Sequence, residues 1–375
     1  MRIVVLGTRG FPDVQGGVEK HCEELYPRLV ELGADVIVIT RKNYIKEKIG
    51  SFKGVRFVHL FSPKLKSLEA ISHTFLALFK LKKLNPDIVH VHSIGPSILI
   101  PLIKLSGYKV VMTHHGSDYM RKKWGIAAKF ALRVGERNAM KYSDKVIVIA
   151  KWVQNYIEKK YKRRSYFIPN GVTPIDIKSY DTDNTGNSLI FKKFNIRTGK
   201  YIFTAARFVP EKGLDDLINA YGLIAGPEFK LVIAGGADHE TVYSKAVKNL
   251  ANKTEGVALT GILYKEDIYK LYANAALFVL PSYYEGFPIS LLEALSFGVP
   301  VLVSDIAAHK EILLPDFRYF STGNVGELSK KIEECFKKGI DESEKDKYIY
   351  LIKTYYNWDI IAEKTLSVYK ECVCD

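Results

Sequence analysis

Hydrophobic and polar positions divide the first half of the chain into two alternating kinds of segment. Helix-length segments have apolar residues three and four positions apart, for example at Leu68, Ile71, Phe75 and Leu78. Between such segments lie short runs rich in β-branched residues, which predict strands at Ile3–Leu6, Val36–Thr40, Val55–His59, Ile88–His92, Val110–Thr113 and Val146–Ile149. Strands that alternate with helices are typical of a parallel sheet with helical crossovers.

The same pattern starts again after Pro169-Asn170-Gly171 and a polar stretch at Asp181–Asn187. Its strands are predicted at Tyr201–Ala205, Leu231–Ala234, Val257–Thr260, Leu277–Leu280 and Val299–Val303. We therefore predict an α/β chain of two Rossmann-like, doubly wound parallel-sheet domains that face each other across a cleft, residues 1–170 and 171–357. Ligands of such sheets bind beyond the carboxyl ends of the strands, so the active site is expected in that cleft.

Composition is that of a folded, enzyme-sized protein. The chain has 375 residues, 47% hydrophobic and 26% charged, which excludes fibrous and disordered classes. Its four cysteines form no CxxC motif, so neither a disulfide framework nor a zinc site is indicated, and a reducing compartment is expected; they are Cys22, Cys335, Cys372 and Cys374. The first residues lack signal-peptide features, and the apolar stretch Ile94–Ile103 is too short to cross a bilayer. We expect a cytoplasmic protein.

Positive charge is concentrated in the first half of the chain. Residues 1–170 hold 31 basic and 13 acidic residues, a net of +18, whereas the remainder holds 24 and 28, a net of −4. Such an excess favours a polyanionic partner: nucleic acid, an anionic membrane face or a phosphorylated substrate. A solvated basic domain without such a partner is the alternative.

A glycine-rich loop follows the first predicted strand. It runs from Gly7 through Gly10 to Gly16 and Gly17, just before a helix predicted to start near Val18. Glycines at a helix N-terminus allow close approach of a ligand, and the free N–H groups favour a phosphate. The spacing matches neither a dinucleotide fingerprint nor a P-loop, so a plain tight turn is the alternative.

Two histidines and an aspartate follow the strand at Val110–Thr113. His114, His115 and Asp118 are candidates for metal ligands, for a general base with its orienting partner, or for simple hydrogen-bonding groups. Adjacent histidines point apart and no third ligand is evident nearby, so a metal is disfavoured. A binding role for substrate is favoured over a purely structural loop.

A basic segment comes next, with Arg121, Lys123 and Trp124 at its start. Cations then recur at steps of four, which places them in one stripe on a helix, at Lys129, Arg133, Arg137 and Lys141. Trp124 suits an interfacial position. The segment is interpreted as a helix that faces a membrane or the acceptor, with a solvated charged face as the alternative.

Two segments of the second half carry candidate binding residues. Arg207 and Lys212 follow the strand Tyr201–Ala205 just before a helix, where two cations would suit a diphosphate. Glu285 lies in the loop after Leu277–Leu280, and Glu293 follows eight residues later in a helix predicted to begin near Ile289. Carboxylates accept hydrogen bonds from sugar and ribose hydroxyls, and backbone N–H groups at 286–289 are left for a phosphate. Purely structural carboxylates are the alternative.

Taken in order, these motifs resemble glycosyltransferase family 4, whose members are retaining enzymes of the GT-B architecture. The resemblance runs from Gly7 to Trp358 and rests on the Gly16-Gly17 pair, His115-Gly116, Arg207 with Lys212, and Glu285 with Glu293. Gly-Thr-Arg-Gly-Phe-Pro at the end of the first strand, and Arg-Lys-Lys-Trp-Gly after the histidines, are similar to the branch that builds bacterial surface polysaccharides.

The resemblance implies a role for each matching residue. Arg207 and Lys212 would hold the donor diphosphate, Glu293 the ribose, and Glu285 and His115 the donor sugar, with His114 as the alternative imidazole. Gly17 would approach the phosphate or the acceptor. The donor loop would comprise Gly286, Phe287, Pro288 and Ile289, where Pro288 replaces a frequent glycine and removes one N–H donor. Candidates on the acceptor side are Gly16, His114, Asp118, Arg121, Lys123 and Trp124.

The implied reaction is transfer of a hexose-type sugar, with retention, from a nucleoside-diphosphate sugar to a glycan acceptor on a polyprenyl diphosphate. The leaving diphosphate would take the acceptor proton, and the cations would replace a metal ion, so no cofactor is expected. A basic first domain would bind the anionic inner face of the cytoplasmic membrane, and a helix at 358–375 would complete that domain. Alternatives are a nucleotide-sugar epimerase, a phosphorylase, for which no pyridoxal-binding lysine is evident, and a non-enzymatic polyanion- or nucleic-acid-binding protein.

Overall fold

The computed structural model describes all residues except 46–48, 64–68, 121–123, 176–179, 181–187, 225, 227 and 264. The polar stretch Asp181–Asn187 therefore lies outside the described residues. The chain divides into two compact units, one formed by Met1–Gly171 with Trp358–Asp375 and the other by Val172–Asn357.

The first unit is built on an eight-stranded sheet with the order β3-β4-β2-β1-β5-β6-β7-β8. Its strands are β1 Arg2–Leu6, β2 Asp35–Arg41, β3 Ser51–Phe52, β4 Val55–Leu60, β5 Ile88–His92, β6 Lys109–His114, β7 Lys145–Val148 and β8 Tyr166–Phe167. The two-residue strand β3 pairs antiparallel with β4, and the other described pairs are parallel. From Ile3 onwards β1 is a buried apolar run, and every residue of β5 is buried, as a sheet covered on both faces requires.

Helices of the first unit are α1 Gly17–Glu31, α2 Glu69–Leu84, α3 Ile100–Leu105, α4 Ile126–Tyr142, α5 Lys151–Tyr161 and α14 Trp358–Cys374. The chain-terminal helix α14 packs against α1 and buries Trp358 and Tyr369. Among the described helices, none combines the length and the apolar character needed to span a membrane.

The second unit contains a six-stranded parallel sheet with the order β11-β10-β9-β12-β13-β14. Its strands are β9 Tyr201–Ala205, β10 Lys230–Ala234, β11 Val257–Gly261, β12 Leu277–Leu280, β13 Val301–Ser304 and β14 Tyr319–Phe320. Its helices are α6 Leu189–Phe194, α7 Leu214–Gly222, α8 Val242–Lys253, α9 Lys265–Ala273, α10 Ile289–Ser296, α11 Ala307–Lys310, α12 Val325–Lys338 and α13 Glu342–Tyr355.

Each predicted strand is present, with ends that differ by up to two residues. The largest difference is at β13, which starts at Val301 because Val299 and Pro300 precede the ladder. The two-residue strands β3, β8 and β14 were not predicted, because they are too short to give a periodic signal.

Strand order reverses once in each sheet, between β1 and β5 in the first and between β9 and β12 in the second. Loops that leave such neighbouring strands in opposite directions open a crevice at the carboxyl edge of the sheet. The segments singled out in the sequence follow β1, β6, β9 and β12, so they lie at these two edges.

Candidate active site

The glycine-rich loop between β1 and α1 is held by a largely buried ion pair. Arg9 Nε donates to Glu19 Oε1 at 3.0 Å, and the same guanidinium donates to the carbonyl oxygen of Gln15. Burial alone raises the pKa of Glu19, but the charge and hydrogen bonds of Arg9 lower it by more, so the carboxylate is ionised. This pair, which the sequence analysis did not identify, fixes the entry to α1.

Gly16 and Gly17 serve different purposes in this loop. A Cβ atom at Gly16 would lie 2.0 Å from Glu19 Oε2 and 2.5 Å from Arg9 Nη2, so only glycine fits beside the ion pair. At Gly17, the first residue of α1, a Cβ atom would meet no described atom within 4 Å. The packing of the unit therefore explains Gly16, whereas Gly17 leaves open space at a helix N-terminus.

His115 lies directly after β6 in a cluster of three buried imidazoles. His21 comes from α1 and His92 from the end of β5, and one nitrogen of each ring lies within 4.8 Å of the others. Burial lowers the pKa of His21 to about 4 and that of His92 well below its usual value, so both are neutral at pH 7. The sequence shows no third ligand near His114 and His115, but the fold brings two imidazoles, those of His21 and His92, to His115 from distant parts of the chain. The expectation that no metal is needed stays a prediction.

His114 points into a different network, centred on Glu136 of α4. Its Nε2 donates to Glu136 Oε1 at 3.1 Å, and its Nδ1 accepts the N–H of Gly116 at 3.1 Å. Glu136 is fully buried and also accepts hydrogen bonds from Tyr161 and Lys160. Burial opposes its ionisation, but the hydrogen bonds from His114 and Tyr161 outweigh that effect and lower its pKa to about 2. Both nitrogens of His114 therefore hold the loop after β6 in place.

The remaining acceptor-side candidates lie between this loop and α4. Asp118 begins a 3-10 turn, Asp118–Met120, and Trp124 is half-buried just before α4. Arg121 and Lys123 lie outside the described residues. The cations at steps of four do lie on one helix, α4, where Arg133, Arg137 and Lys141 are exposed.

In the second unit, Lys212 and Glu285 form an ion pair at the point where strand order reverses. Lys212 ends the 3-10 turn Pro210–Lys212 after β9, and its Nζ contacts Glu285 Oε1 in the loop after β12. Ser282 Oγ donates to the same carboxylate oxygen at 2.7 Å. Burial raises the pKa of Glu285, but the Lys212 ammonium and its hydrogen bond lower it by more, so the carboxylate is ionised. Residues 73 positions apart are thus joined at one edge.

Arg207 is also paired with a carboxylate. Its Nη1 lies 3.5 Å from Asp238 Oδ2, and both side chains are partly exposed, at 21% and 28%. Two cations aimed at a diphosphate are expected from the sequence. In the structure Lys212 and Arg207 each also face an acidic partner, and the diphosphate role stays a prediction.

His309 on α11 is a buried residue that the sequence analysis missed. Its Nδ1 lies 2.8 Å from the carbonyl oxygen of Ser304, and its Nε2 has no hydrogen-bond partner among the described residues. Burial lowers its pKa to about 4, against the attraction of Glu285. Nothing in the sequence spacing connects His309 with Glu285, since helix α10 and strand β13 separate them.

Glu293 lies in the second turn of α10, where its Oε2 accepts the hydroxyl of buried Tyr272 at 3.1 Å. The loop before α10 contains Gly286 and buried Phe287, and Pro288 forms the N-cap of the helix without a side-chain hydrogen bond. As Ile289 is the first helical residue, the helix begins where it was predicted. The ring of Phe287 packs 5.4 Å from that of Tyr356 and anchors the loop.

Comparisons with known proteins identify the family. Residues 187–359 match the family model described as Glycosyl transferases group 1, and residues 15–174 match the model described as Glycosyltransferase Family 4. An uncharacterised glycosyltransferase of Methanocaldococcus jannaschii is 24% identical over 371 residues, which cover 95% of each chain. A candidate glycosyltransferase of teichuronic acid biosynthesis from Bacillus subtilis is 27% identical over 247 residues, covering 63% of this chain and 57% of that protein.

Solved structures with the same fold cover nearly the whole chain. Sucrose-phosphate synthase of Thermosynechococcus elongatus superposes with a TM-score of 0.83 at 20% identity, covering 100% of this chain and 99% of that one. HepE of Anabaena, in complex with UDP-glucose, gives a TM-score of 0.79 at 16% identity, covering 99% and 100%. Because the two family models together match most of the chain, it belongs to the group 1 and family 4 glycosyltransferases and has their GT-B fold.

Proposed function

We propose that this glycosyltransferase moves a hexose-type sugar, with retention of configuration and without a metal ion, from a nucleoside-diphosphate sugar to a glycan on a polyprenyl diphosphate. The product would be a bacterial surface polysaccharide. The name of the Bacillus subtilis relative supports the polysaccharide class. The complex of HepE with UDP-glucose supports a nucleotide-sugar donor.

The observation that carries the proposal is the Lys212–Glu285 pair at the carboxyl edge of the second sheet. An ammonium group has three N–H donors, and the bond to Glu285 uses one of them. The others remain for the oxygen atoms of a diphosphate. Glu285, held ionised by Lys212, is an acceptor for hydroxyls of the donor sugar, so one pair orients both parts of the donor across the bond that breaks.

Arg207 would supply the second positive charge after a change of partner. Its contact with Asp238 is long and partly exposed, and such pairs contribute little to stability, about 0–1 kcal/mol. A diphosphate offers a doubly charged partner in bidentate geometry and would displace Asp238. Backbone N–H groups at the start of α10 add donors for the same group.

The chemical step is then electrostatic. As the glycosidic bond to the diphosphate breaks, negative charge grows on the leaving oxygen, where Lys212 and Arg207 stabilise it. The diphosphate takes the proton of the attacking acceptor hydroxyl on the same face of the sugar. Glu293 would bind the two ribose hydroxyls, with Tyr272 fixing its carboxylate, and His115 would hydrogen-bond to the donor sugar.

Thermal unfolding with a panel of nucleoside diphosphates and nucleotide sugars tests the donor site. A ligand at 100 times its Kd should add about 2.7 kcal/mol and raise Tm by a few degrees. We expect a base-selective shift that is lost in Arg207→Ala and Glu293→Ala but kept in Lys248→Ala, which removes an exposed cation paired with Glu240. A folded protein that responds to none of these ligands would contradict the donor assignment.

Product analysis tests the reaction itself. With the identified donor and a lipid-linked acceptor, we expect a glycoside with the donor's anomeric configuration, formed equally well after treatment with EDTA. A nucleotide sugar altered at one carbon, formed without any acceptor, would establish the epimerase alternative instead. Loss of turnover after EDTA, restored by a divalent cation, would overturn metal independence.

Apolar and basic side chains on the first unit support binding to an anionic membrane. Helices α2 and α4 both pack against the 3-10 turn Pro96–Leu99. They expose Phe79 and Phe130 at 69% and 68%, and Ile126 at the start of α4 at 90%. Exposed cations lie on the same helix, α4, and each Lys or Arg near an anionic surface adds about 1 kcal/mol of attraction.

Vesicle sedimentation tests this surface. We expect binding to phosphatidylcholine vesicles that contain phosphatidylglycerol, weaker binding at high salt, and little binding to phosphatidylcholine alone. Phe130→Ser should weaken binding about tenfold, whereas Leu189→Ser, which removes an exposed leucine of the second unit, should have no effect. Equal binding to neutral and anionic vesicles at low salt would contradict the proposal.

A further inference from the structure

Buried polar side chains form a continuous chain of hydrogen bonds behind His115. They come from five elements that only the fold brings together: Tyr26 of α1, His90 and His92 of β5, Thr113 of β6, His115 itself and Tyr369 of α14. Every member of this group, which we call the histidine relay, is buried. None of them except His115 was singled out in the sequence.

Four hydrogen bonds connect Thr113 to His115. Thr113 Oγ1 lies 2.7 Å from His90 Nε2, and His90 Nδ1 lies 2.9 Å from the Tyr26 hydroxyl. That hydroxyl also contacts His92 Nε2. The last link joins His92 Nδ1 and His115 Nε2 at 2.8 Å. Tyr369 adds a second hydroxyl at His90 Nδ1, so α14 supports the relay from the other end of the chain.

A chain of this kind has only two arrangements of its protons. A neutral imidazole carries one N–H donor and one acceptor nitrogen, and a hydroxyl has a single proton. His90 and His92 are neutral, because burial lowers the pKa of His90 to about 3 and that of His92 well below the usual value. As long as Tyr26, and not the second hydroxyl of Tyr369, is the partner of His90 Nδ1, all four bonds must therefore run in the same direction. Either all three histidines are protonated on Nε2, or all three are protonated on Nδ1.

The arrangement with all three histidines protonated on Nε2 is favoured by the intrinsic chemistry of the imidazole ring. A free neutral histidine is more stable with its proton on Nε2, and this direction uses that form three times. Tyr26 then donates to His90 Nδ1 and accepts from His92 Nε2–H, while His90 Nε2–H donates to Thr113. We propose that the histidine relay holds His115 in its Nε2-protonated form, which makes Nδ1 the acceptor nitrogen of this ring, with His92 as the positioning residue. The sugar contact rests on the proposed function, whereas the tautomer does not.

A transition-metal ion is the competing occupant of the same cluster. His21 Nδ1 faces the side-chain oxygen of Asn170 at 2.9 Å, which leaves Nε2 of that ring as an acceptor without a partner among the described residues. A metal bound by His21, His92 and His115 would need unprotonated nitrogens on all three rings. It would therefore break the hydrogen bond between His92 and His115, which the relay keeps.

Tautomers of the full-length protein labelled with ¹⁵N-histidine provide the test, since the two ring nitrogens give distinct shifts when protonated and unprotonated. The signals of His115 are assigned by their loss in His115→Gln. We expect wild-type His115 to be protonated at Nε2. Thr113→Val removes the acceptor at the far end of the relay, and a buried N–H without a partner is costly. The bonds should then reverse, and the proton of His115 should move to Nδ1.

Thr74→Val is the matched control. Thr74 is equally buried, and its hydroxyl donates to the carbonyl oxygen of Ala70 outside the relay. The same substitution there should leave the His115 signals unchanged. A merely structural Thr113 would not change the protonation of a ring four hydrogen bonds away, so unchanged His115 signals in Thr113→Val would overturn the relay.

Two further measurements distinguish the relay from a metal site and test the sugar contact of His115. Co²⁺ added to the apoprotein should give no visible absorption band; a band that disappears in His21→Ala would establish the metal site and overturn the relay. With the donor identified, Thr113→Val should lower kcat/KM about tenfold, equivalent to one hydrogen bond, with unchanged affinity for the free nucleoside diphosphate. A reversed tautomer with unaltered kcat/KM would uphold the relay and refute the sugar contact of His115.

Discussion

The carboxyl edges of the two sheets differ in the charge of the groups they present. The first edge is lined by imidazoles, and burial keeps His21 and His92 neutral, whereas its ionised pair, Arg9 with Glu19, holds the glycine-rich loop to α1. The second edge holds ionised groups in pairs, Lys212 with Glu285 and Arg207 with Asp238. Both edges arise from the same fold, so the difference comes from the side chains that follow the strands.

This difference indicates how the two units divide the proposed reaction. Neutral imidazoles can exchange hydrogen bonds with the hydroxyl groups of a sugar without adding charge. The cations of the ion pairs can bind a diphosphate and stabilise the negative charge that develops on it. The positive excess of the first half is elsewhere, on helices such as α4, where Arg133 and Arg137 are exposed. Net charge of a domain therefore does not reveal the charge of its binding edge.

Removing the cation of the second edge should have the largest effect. Lys212→Met deletes the ammonium but keeps most of the apolar stem, and we expect turnover to fall about 10²- to 10³-fold, as for the loss of one transition-state donor. Glu285 would also lose the partner that lowers its pKa. Steady-state kinetics with the identified donor measure the change. Lys248→Met, at an exposed ion pair, should keep wild-type turnover.

If Lys212→Met keeps more than a third of wild-type turnover while its fold and nucleotide binding are intact, the charged edge does not stabilise the transition state. The ion pairs of the second edge would then act in binding alone. A loss of nucleotide affinity without a change in kcat would point the same way, because it places the cation in ground-state binding.

Glu136 is an ionised group buried behind the neutral edge, and it should dominate the acid sensitivity of the first unit. Its folded-state pKa of about 2 is below the usual 4.5, a difference equivalent to about 3 kcal/mol. Because the folded-state pKa is lowered, this stability is fully present above pH 4.5 and is lost as pH falls towards 2. Glu136→Gln should remove that contribution at pH 7.

Urea unfolding of wild type and Glu136→Gln at pH 7 and at pH 3 measures this effect. We expect the free-energy gap between the two proteins to shrink at the lower pH. A gap that is constant with pH would show that Glu136 stabilises the loop through neutral hydrogen bonds alone. Glu240→Gln, which alters an exposed carboxylate with two lysine partners, provides a control with little expected change at either pH.

Much of this architecture is predictable from local patterns. Strand runs such as Tyr201–Ala205 and the start of α10 at Ile289 lie where the periodicity and the loop residues place them. The donor segments could be identified because their residues are close in sequence to strand ends. Strand ends and the loops after them are local features, and the order of strands then brings those loops to one edge.

Long-range partners were not predictable in the same way. His92 and Tyr369 join the environment of His115 from positions far away in the sequence, and His309 reaches the surroundings of Glu285 from beyond a helix and a strand. The sequence pattern identifies His92 only as the last residue of a buried strand, and Tyr369 only as an apolar position on a helix. Likewise, the acidic partners of Lys212 and Arg207 follow from packing rather than spacing.

Substitutions at the adjacent glycines Gly16 and Gly17 of the first edge should distinguish a role in folding from a role in substrate binding. Their effects are expected to be the smallest of those predicted. Gly16→Ala places a methyl group against Glu19 and Arg9 and should cost about 1–3 kcal/mol of unfolding free energy. Gly17→Ala meets no described atom and lies in a helix, so stability should change by less than about 1 kcal/mol, in the favourable direction. If a substrate approaches the backbone at Gly17, that methyl group should nonetheless lower kcat/KM. Wild-type kcat/KM in Gly17→Ala would show that the neutral edge acts through its imidazoles and not through its glycine loop.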